Sequence, residues 1–325
     1  MSKKYKILIT GSCGFIGYHL SRALLSKNHQ VYGIDNLNSY YDVNLKKEKL
    51  KNLKKYKKEY KFFKLDISDK KKLNSNFKKY NYDFVVHLAA QAGVRFSVKN
   101  PDEYVKSNLV GFFNVLDVAR INKVKHFLFA STSSVYGKSK KFPLEENFNT
   151  DNPLSFYAAT KKSNEVMAYS YSNIYDLPVT CLRFFTVYGP YGRPDMSLFK
   201  FTDSIFKNKF INLFNNGNHI RDFTYIDDTV DSIIELILHK PKNKPPFEIY
   251  NIANSKPQTL RYFLRLIQKK IGKKAKVNLK PLQLGDTFKT HASNKKLLKK
   301  IGKQNVTSIE EGISRFINWY SKYYK

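Results

Sequence analysis

A glycine-rich turn between the first predicted strand and the first predicted helix restricts the fold of this chain more than any other feature. The apolar run Lys6–Thr10 predicts a short strand, and the apolar spacing of Phe15–Lys27 predicts an amphipathic helix. Between and just inside these elements lie Gly11, Gly14 and Gly17. Glycines let the backbone turn tightly and approach a pyrophosphate, whose charge is met by amide groups at the helix N-terminus. The order of strand, turn and helix therefore predicts a dinucleotide-binding domain.

Strands and helices alternate along the rest of the first half. The further predicted strands are Gln30–Ile34, Lys61–Leu65, Asp83–Leu88, His126–Ala130 and Pro178–Arg183. The further predicted helices include Asp69–Lys79, Asp102–Asn122 and Leu154–Tyr175. This alternation predicts an α/β fold, a doubly wound parallel (Rossmann) sheet with right-handed crossovers and helices on both faces. Ligands of such sheets bind beyond the carboxyl ends of the strands, so candidate residues are sought there.

An acidic residue, Asp35, ends the second predicted strand, about 20 residues beyond the glycine loop. A carboxylate at this place can accept hydrogen bonds from the ribose hydroxyls of an adenine nucleotide. It would repel a 2′-phosphate, so the sequence favours NAD over NADP.

Tyr157 and Lys161 are four residues apart in a predicted helix, so they lie on one helix face. The ammonium group can then favour the ionised form of the phenol. Beside a nucleotide loop, this pair predicts a base that takes a proton from a hydroxyl while the dinucleotide takes the hydride. In a chain with 23 tyrosines such a pair also arises by chance, so the assignment depends on the glycine loop.

The chain has 325 residues, enough for one large nucleotide-binding domain and a smaller lobe. From about Tyr188 the elements become shorter and mixed, with a predicted hairpin at Asn212–Gly217 and a predicted helix at Leu260–Ile271. The segment Asp227–Leu238 and a strand at Phe247–Ile252 are expected to return to the first domain. We therefore expect a Rossmann domain over 1–187 with returning segments near 227–253, and a substrate-binding lobe over 188–226 and 254–325.

Composition limits the class of protein. Apolar runs stay well short of the ~20 residues that a membrane span needs, so no membrane partner is predicted. Two cysteines, Cys13 and Cys181, give no disulfide framework, and we expect a cytoplasmic protein that needs no metal.

The formal net charge of +32 is the one feature that favours a different class. The Lys-rich run Lys46–Lys64 is a plausible electrostatic footprint for nucleic acid. However, the excess is spread along the whole chain as lysine, which indicates compositional bias rather than a binding patch. Nucleic acid is therefore not the predicted partner, although a basic binding module stays open as an alternative.

Seven segments together resemble the extended short-chain dehydrogenase/reductase family (NAD-dependent epimerases and dehydratases), and within it the subgroup of UDP-glucuronate 4-epimerases, over nearly the whole chain. The glycine loop and the Tyr157/Lys161 pair mark the superfamily, whereas the second and sixth segments indicate the uronate subgroup. The segments are Gly11–Gly17, Gly33–Asp42, His87–Arg95, Ser131–Gly137, Tyr157–Lys161, Val187–Met196 and Arg221–Asp228.

The resemblance implies a cofactor, NAD, and a UDP-sugar substrate, and it implies roles for individual residues. Asp66 and Ile67 would flank the adenine, and Asn108 would support the cofactor helix. Arg221 would hold the UDP diphosphate and Asp286 the uridine ribose. The full cofactor set is Gly11, Gly14, Phe15, Ile16, Gly17, Asp35, Asn36, Asp66, Ile67, Leu88, Ala89, Ala90, Asn108, Tyr157 and Lys161. The substrate set is Arg95, Ser133, Ser134, Thr186, Arg193, Arg221 and Asp286.

The predicted chemistry is removal of the C4 hydroxyl proton by Tyr157, assisted by Lys161 and by a hydrogen bond that the resemblance assigns to Thr132. Thr132 could instead only satisfy a local backbone group. The next two residues, Ser133 and Ser134, replace the acidic residues that dehydratases and decarboxylases of this superfamily carry. Hydroxyls there can bind a carboxylate but cannot readily drive elimination, which favours an epimerase.

A uronate substrate adds one requirement, because its 4-keto form is a β-keto acid that can lose carbon dioxide. Ser133, Ser134, Thr186 and Arg193 are the candidates that would hold the C6 carboxylate, with Arg95 assisting. Arg193 could instead be a surface or subunit-contact arginine. Two alternatives stay open: a 4-epimerase for neutral UDP-sugars, such as UDP-glucose or UDP-N-acetylglucosamine, and a catalytically idle NAD-dependent regulator.

Apolar faces on two predicted helices, Val105–Ala119 and Val166–Ile174, could pair with a second copy of the chain. Burial within one chain would explain them equally well. A homodimer is therefore an expectation that the sequence leaves open.

Overall fold

A seven-stranded parallel sheet forms the centre of the computed structural model, which describes residues 3–283 and 286–324. Its strands occur in the order β11-β6-β5-β4-β1-β2-β3. The strands of the described chain are β1 (Lys6–Thr10), β2 (Gln30–Asp35), β3 (Tyr60–Lys64), β4 (Phe84–His87), β5 (His126–Thr132), β6 (Val179–Phe184), β7 (Thr186–Tyr188), β8 (Phe210–Phe214), β9 (Ile220–Arg221), β10 (Phe223–Tyr225), β11 (Phe247–Ile252), β12 (Gln258–Thr259) and β13 (Lys276–Lys280).

Helices connect these strands and cover both faces of the sheet. They are α1 (Phe15–Ser26), α2 (Val43–Lys54), α3 (Lys70–Tyr80), α4 (Val94–Lys99), α5 (Pro101–Tyr104), α6 (Phe112–Ile121), α7 (Phe156–Tyr175), α8 (Ser197–Phe206), α9 (Ile226–Leu238), α10 (Leu260–Ile271), α11 (Lys295–Ile301) and α12 (Ile309–Tyr324). None of the helices within 3–283 or 286–324 combines the length and apolar character that crossing a membrane requires.

The predicted α/β doubly wound sheet is confirmed, and the reason lies in its buried strands. Within β1, Ile7 and Ile9 face one apolar cluster while Leu8 faces the other, because successive side chains of a strand point to opposite faces. Helices α1 and α9 pack on the first face, and α3, α6 and α7 pack on the second. The strand order reverses between β1 and β4, and both neighbours pair with β1 in parallel, so a crevice opens at their carboxyl ends.

The helix predicted over Asp102–Asn122 is present, but it is not a regular α-helix. Its middle, Val105–Gly111, is a π-helix between α5 and α6. The wider turn places Asn108 inside the protein, with 1% of its surface exposed. Such segments are common at functional sites, and apolar spacing alone does not reveal them.

The hairpin predicted at Asn212–Gly217 is wrong. The turn signal is real, since Asn215, Asn216 and Gly217 all have positive φ angles, but the chain does not fold back on itself after it. Strand β8 instead pairs in parallel with β13, more than sixty residues further along. The pairing therefore depends on distant sequence that the local pattern does not contain.

The second half of the chain forms three two-stranded sheets, β10 with β7, β12 with β9, and β13 with β8. The strand predicted at Phe247–Ile252 is confirmed as β11, which returns to the edge of the main sheet beside β6. The division into a cofactor domain and a substrate lobe stays a prediction.

Candidate functional site

One cleft of about 400 Å³ lies at the carboxyl ends of the central strands. It brings together every predicted site residue except Asn108 and Arg95. The cofactor-side residues that line it are Gly11, Gly14, Phe15, Ile16, Gly17, Asp35, Asn36, Asp66, Ile67, Leu88, Ala89, Ala90, Tyr157 and Lys161. On the other side the lining includes Thr132, Ser133, Ser134, Thr186, Arg193, Arg221 and Asp286.

The glycine loop leaves no room for side chains at its contacts. Gly11 has a φ of +71°, and a Cβ there would lie 2.8 Å from the Ala89 backbone nitrogen. A Cβ on Gly17 would lie 2.1 Å from the Gly11 carbonyl oxygen. The loop therefore presents bare backbone to the cleft at the N-terminus of α1, as a pyrophosphate group requires.

Asp35 lies at the end of β2, and its two carboxylate oxygens are fixed by backbone. Oδ2 accepts a hydrogen bond from the Cys13 N–H at 3.0 Å, and Oδ1 accepts one from Leu37 at 2.8 Å. Nearby, the Asn36 amide donates to Asp66 at 3.0 Å. The Asp35 carboxylate is therefore fixed beside the glycine loop. Together, the bare backbone of the loop and this carboxylate fit the pyrophosphate and the ribose of a dinucleotide.

Helix α7 begins at Phe156 because the Ser155 side chain caps it, accepting a hydrogen bond from the Ala158 N–H at 3.2 Å. One turn of helix then places both Tyr157 and Lys161 in the cleft. Burial lowers the pKa of Lys161 to about 8.

Burial raises the pKa of the Tyr157 phenol, whereas the Arg193 guanidinium and a hydrogen bond with Thr132 lower it. The expected electrostatic partner was Lys161. In this structure the cation that lowers the pKa of the phenol, against the effect of burial, is Arg193, which lines the same cleft.

The two serines after Thr132 form a short 3₁₀ turn, Ser133–Tyr136. The Thr132 hydroxyl accepts a hydrogen bond from the Ser134 N–H and donates to the Ser134 hydroxyl, both at 3.2 Å. It therefore meets a local backbone group and also lies close to Tyr157. Ser133 and Ser134 line the cleft, so these two positions contribute hydroxyl groups to it and no carboxylate.

Asn108 lies behind the cleft wall. Its side chain accepts a hydrogen bond from the Gln91 N–H at 2.8 Å and donates to the Gln91 carbonyl at 3.0 Å and to Thr160 at 3.1 Å. It thus ties the loop after β4 to helix α7, and supports the cleft without lining it.

Arg193 lines the cleft and is paired with a carboxylate. Its Nε and Nη2 donate to the two oxygens of Asp195 at 2.9 and 2.5 Å, and the Tyr40 hydroxyl donates to the same carboxylate at 3.2 Å. The sequence analysis missed Asp195, although the signal was available in the Gly-Arg-Pro-Asp run.

Arg221 and Asp286, predicted to hold different parts of a nucleotide, contact each other. Arg221 Nη2 donates to Asp286 Oδ1 at 2.9 Å. Arg95 is not in the cleft lining, but its guanidinium lies 3.9 Å from the same carboxylate. It is about half exposed, at the rim of the cleft.

A buried carboxylate, Asp222, joins the segments around Arg221. It accepts backbone hydrogen bonds from Asn254 at 3.1 Å and Ala292 at 3.0 Å, and its own N–H donates to Thr290 at 3.2 Å. Burial raises the pKa of Asp222 to about 6. The sequence analysis did not assign it, because its partners are distant along the chain.

The sequence analysis also missed an ion pair behind helix α7. Glu165, one turn after Lys161, binds Arg183 through two hydrogen bonds of 3.0 and 2.8 Å and accepts a third from Ser131 at 2.6 Å. Both charged side chains are buried. The pair fixes α7 against β5 and β6, and the Glu165 charge raises the pKa of Lys161 against the effect of burial.

The Lys-rich run does not form a continuous exposed patch. Lys46 and Lys49 lie on the inner face of α2, with 4% and 0% of their surface exposed. The Lys46 ammonium donates to Asn38 at 2.6 Å, and burial lowers the pKa of Lys49 to about 7. These two lysines therefore support the loop beyond Asp35 and do not face solvent.

Residues 7–253 match the family model described as "NAD dependent epimerase/dehydratase family". The chain belongs to this family.

Several relatives match over nearly their whole length. Protein CapI of Staphylococcus aureus is 45% identical, over 98% of this chain and 99% of its own. A probable UDP-glucuronate 4-epimerase of Rhizobium meliloti is 41% identical, over 98% of each chain. The crystal structure of a UDP-glucuronic acid 4-epimerase from Bacillus cereus, in complex with UDP-glucuronic acid and NAD, superposes with a TM-score of 0.91 at 31% identity, covering 98% of this chain and 99% of that one.

Membership of this family accounts for the NAD-binding half of the cleft. The roles of the individual side chains stay predictions, and each of them can be tested by substitution.

Proposed function

We propose that this protein catalyses the NAD-dependent 4-epimerisation of UDP-glucuronate to UDP-galacturonate through a 4-keto intermediate. The observation that carries the proposal is that Tyr157, Thr132 and Arg193 meet in the cleft that also contains the glycine loop. The cleft therefore contains a base, Tyr157, a hydroxyl group beside it, Thr132, and a cation for the uronate carboxylate, Arg193. The curated and structural relatives named for UDP-glucuronate support the same substrate.

NAD, when bound, supplies the reversible oxidation at C4 of the sugar. Gly11, Gly14 and Gly17 would hold its pyrophosphate, and Asp35 its adenine ribose. Lys161 is buried and carries its charge near neutral pH, so it favours ligands and groups with negative charge on this side of the cleft.

Tyr157 accepts the proton of the C4 hydroxyl and later returns it. The phenol must lose its own proton to act, and burial opposes this loss. Arg193 lowers the pKa of the phenol against the effect of burial, because a cation stabilises a phenolate. The Thr132 hydroxyl does the same when it turns its proton from the Ser134 hydroxyl to the phenolate oxygen. Epimerisation needs no further acid or base, which agrees with hydroxyl groups at Ser133 and Ser134.

The C6 carboxylate must stay out of line with the carbonyl of the 4-keto sugar, because alignment would release carbon dioxide. The cleft lining includes Ser133, Ser134, Thr186 and Arg193, and each of these side chains can donate a hydrogen bond to a carboxylate. Arg221 and Asp286 would hold the UDP part, in the lobe formed by 188–226 and 254–325.

The test is to incubate the purified protein with UDP-glucuronate, UDP-glucose and UDP-N-acetylglucosamine separately and to resolve the products by NMR. We expect UDP-galacturonate from the first and little conversion of the other two. Equal turnover of UDP-glucose would replace this proposal with a 4-epimerase for neutral UDP-sugars. No conversion of any substrate by NAD-loaded protein would favour an idle regulator.

We propose in addition that the protein is a homodimer. Exposed apolar side chains lie on the helices predicted to pair, at Val105, Val110, Val166 and Ile174, which are 39%, 45%, 58% and 63% exposed. A contact of this kind would cover them. Sedimentation velocity should give the mass of a dimer, and the double variant Val166→Lys, Ile174→Lys should give a monomer.

The free thiols of Cys13 and Cys181 are buried, which is typical of proteins in a reducing compartment. We therefore propose that the protein is cytoplasmic.

A further inference from the structure

A tight turn brings Arg193 and Asp195 to the same side of the backbone. The Met196 N–H donates to the Arg193 carbonyl at 3.1 Å, and Pro194, whose ring fixes φ, occupies the second position of this turn. The two-pronged contact of Arg193 with Asp195 follows from this geometry. Both side chains are about three-quarters buried.

A second segment fixes the acid from the opposite side. Tyr40, on the loop that follows β2, donates its hydroxyl hydrogen bond to Asp195, and its ring packs against Phe96 with centroids 4.9 Å apart. A Cβ on Gly93 would lie 2.4 Å from the Tyr40 oxygen, so only glycine leaves room for this hydroxyl. The loop beside the cofactor half thus reaches the sugar half through Asp195.

The Arg193 guanidinium has N–H groups that Asp195 does not use. Arginine carries five N–H groups, of which Asp195 uses one on Nε and one on Nη2. The two N–H groups on Nη1 and the second N–H group on Nη2 stay available, and they lie at the end of the guanidinium away from Nε. A second carboxylate can therefore bind end-on while Asp195 keeps the Nε side.

We propose that Asp195, held by Tyr40, is a positioning residue that fixes Arg193 for the carboxylate of the sugar, so that preference for uronates over neutral hexoses depends on it. This inference rests on the proposed function. A free arginine side chain loses much conformational freedom when it binds, whereas a guanidinium already fixed by Asp195 loses little. Asp195 also balances the charge of Arg193 before an anionic sugar enters.

The test compares KM for UDP-glucuronate with the dissociation constant for UDP-glucose in Asp195→Asn, Tyr40→Phe and a control, Asp203→Asn. Asp203 is a matched control, because it also accepts a hydrogen bond from a tyrosine hydroxyl, that of Tyr320, and also forms an ion pair, with Lys207. It lies on α8 and does not line the cleft. We expect KM to rise about tenfold in Asp195→Asn and about twofold to threefold in Tyr40→Phe, as expected for lost charge-assisted and neutral hydrogen bonds. UDP-glucose binding should change less than about twofold in both variants, and the control should match the unmodified protein.

A double-mutant cycle separates positioning from a general structural effect. Because Asp195 acts through Arg193, Asp195→Asn should add nothing to KM when Arg193 is already alanine. Additive effects, an unchanged KM in Asp195→Asn, or equal losses for uronate and neutral sugar would each overturn the inference. A lower KM in Asp195→Asn would also overturn it, since charge repulsion would then outweigh positioning. If the unmodified protein does not convert UDP-glucuronate, the proposed function itself fails, an outcome distinct from all of these.

Discussion

The two halves of the cleft are built in different ways. On the cofactor side, most candidate residues lie at or just after the ends of strands of one parallel sheet, or at the start of α1, and much of the contact surface is backbone, as at Gly11 and Gly17. On the sugar side, the charged groups are brought together by side-chain contacts between distant segments. Asp195, which holds Arg193, is contacted by Tyr40 from 155 residues away, and Arg221 is contacted by Asp286 from 65 residues away.

This difference predicts how each half responds to change. Cofactor binding depends on a sheet with two large apolar clusters, so single polar substitutions there should act locally. Sugar binding depends on a few polar contacts that cross long stretches of chain. Removing one of them should loosen several residues at once.

The strongest test of the cofactor half replaces Tyr157 by Phe. The variant keeps the ring but lacks the hydroxyl that accepts the proton, so kcat should fall by about two to three orders of magnitude. NAD content, measured in the extracted protein, should stay the same. Tyr169→Phe on the exposed face of the same helix is the control and should keep full activity. Near-normal turnover of Tyr157→Phe would remove this residue from the mechanism.

The same contrast explains what the sequence could predict. The sheet, the glycine loop, Asp35 and the Tyr157/Lys161 pair follow local rules of period, turn and strand end. Family resemblance added Thr186, Arg193 and Arg221, which no local rule would have placed in the cleft.

Most of the features that sequence analysis missed depend on contacts between distant segments, although the contact of Asp195 with Arg193 is local. Strand β8 pairs with a strand more than sixty residues away, so its turn looked like a hairpin. The π-helix around Asn108 has the apolar spacing of an ordinary helix. Asp222 and Glu165 are ordinary acids in the sequence, and their roles come from backbone and side-chain groups that only the folded chain brings to them.

Asp222 offers a test of the sugar half through pH. Its pKa is raised from 3.8 to about 6 in the folded protein, so between those values the folded state binds more protons than the unfolded state. This group alone makes the free energy of unfolding fall as pH rises from about 4 to about 6, by on the order of 2–3 kcal/mol, with no further loss above that range.

Asp222→Asn should remove this component. Urea unfolding at several pH values measures the free energy of unfolding of both proteins. The value for the unmodified protein minus the value for the variant should decrease as pH rises from about 4 to about 6. The asparagine amide must also face a backbone N–H, so UDP-glucuronate binding should weaken while NAD content is kept. Parallel stability curves across pH 4 to 6 would contradict the role given to this carboxylate.

Arg193→Ala tests whether the sugar half recognises a uronate. Loss of a charge-assisted hydrogen bond costs roughly 1.5–3 kcal/mol, so UDP-glucuronate should bind about an order of magnitude or more weakly. A carboxylate that is no longer restrained can align with the 4-keto group, and carbon dioxide with a UDP-4-keto-pentose should then appear beside the epimer. Thr186→Ala should act in the same direction. Unchanged affinity and product ratio in Arg193→Ala would favour the neutral-sugar alternative.

The smallest expected effect concerns Asp35 and the choice of cofactor. The unmodified protein should bind NAD in preference to NADP, because the Asp35 carboxylate is fixed by Cys13 and Leu37 where a 2′-phosphate would lie. In Asp35→Ala the repulsion is lost together with the hydrogen bonds to the ribose, so NAD should bind about tenfold more weakly and the preference should narrow. Titration with each dinucleotide measures both changes. Since Asp35 does not contact Tyr157 or Lys161, kcat at saturating NAD should stay within about twofold of the unmodified value. Equal affinity of the unmodified protein for NAD and NADP would show that Asp35 does not select the cofactor.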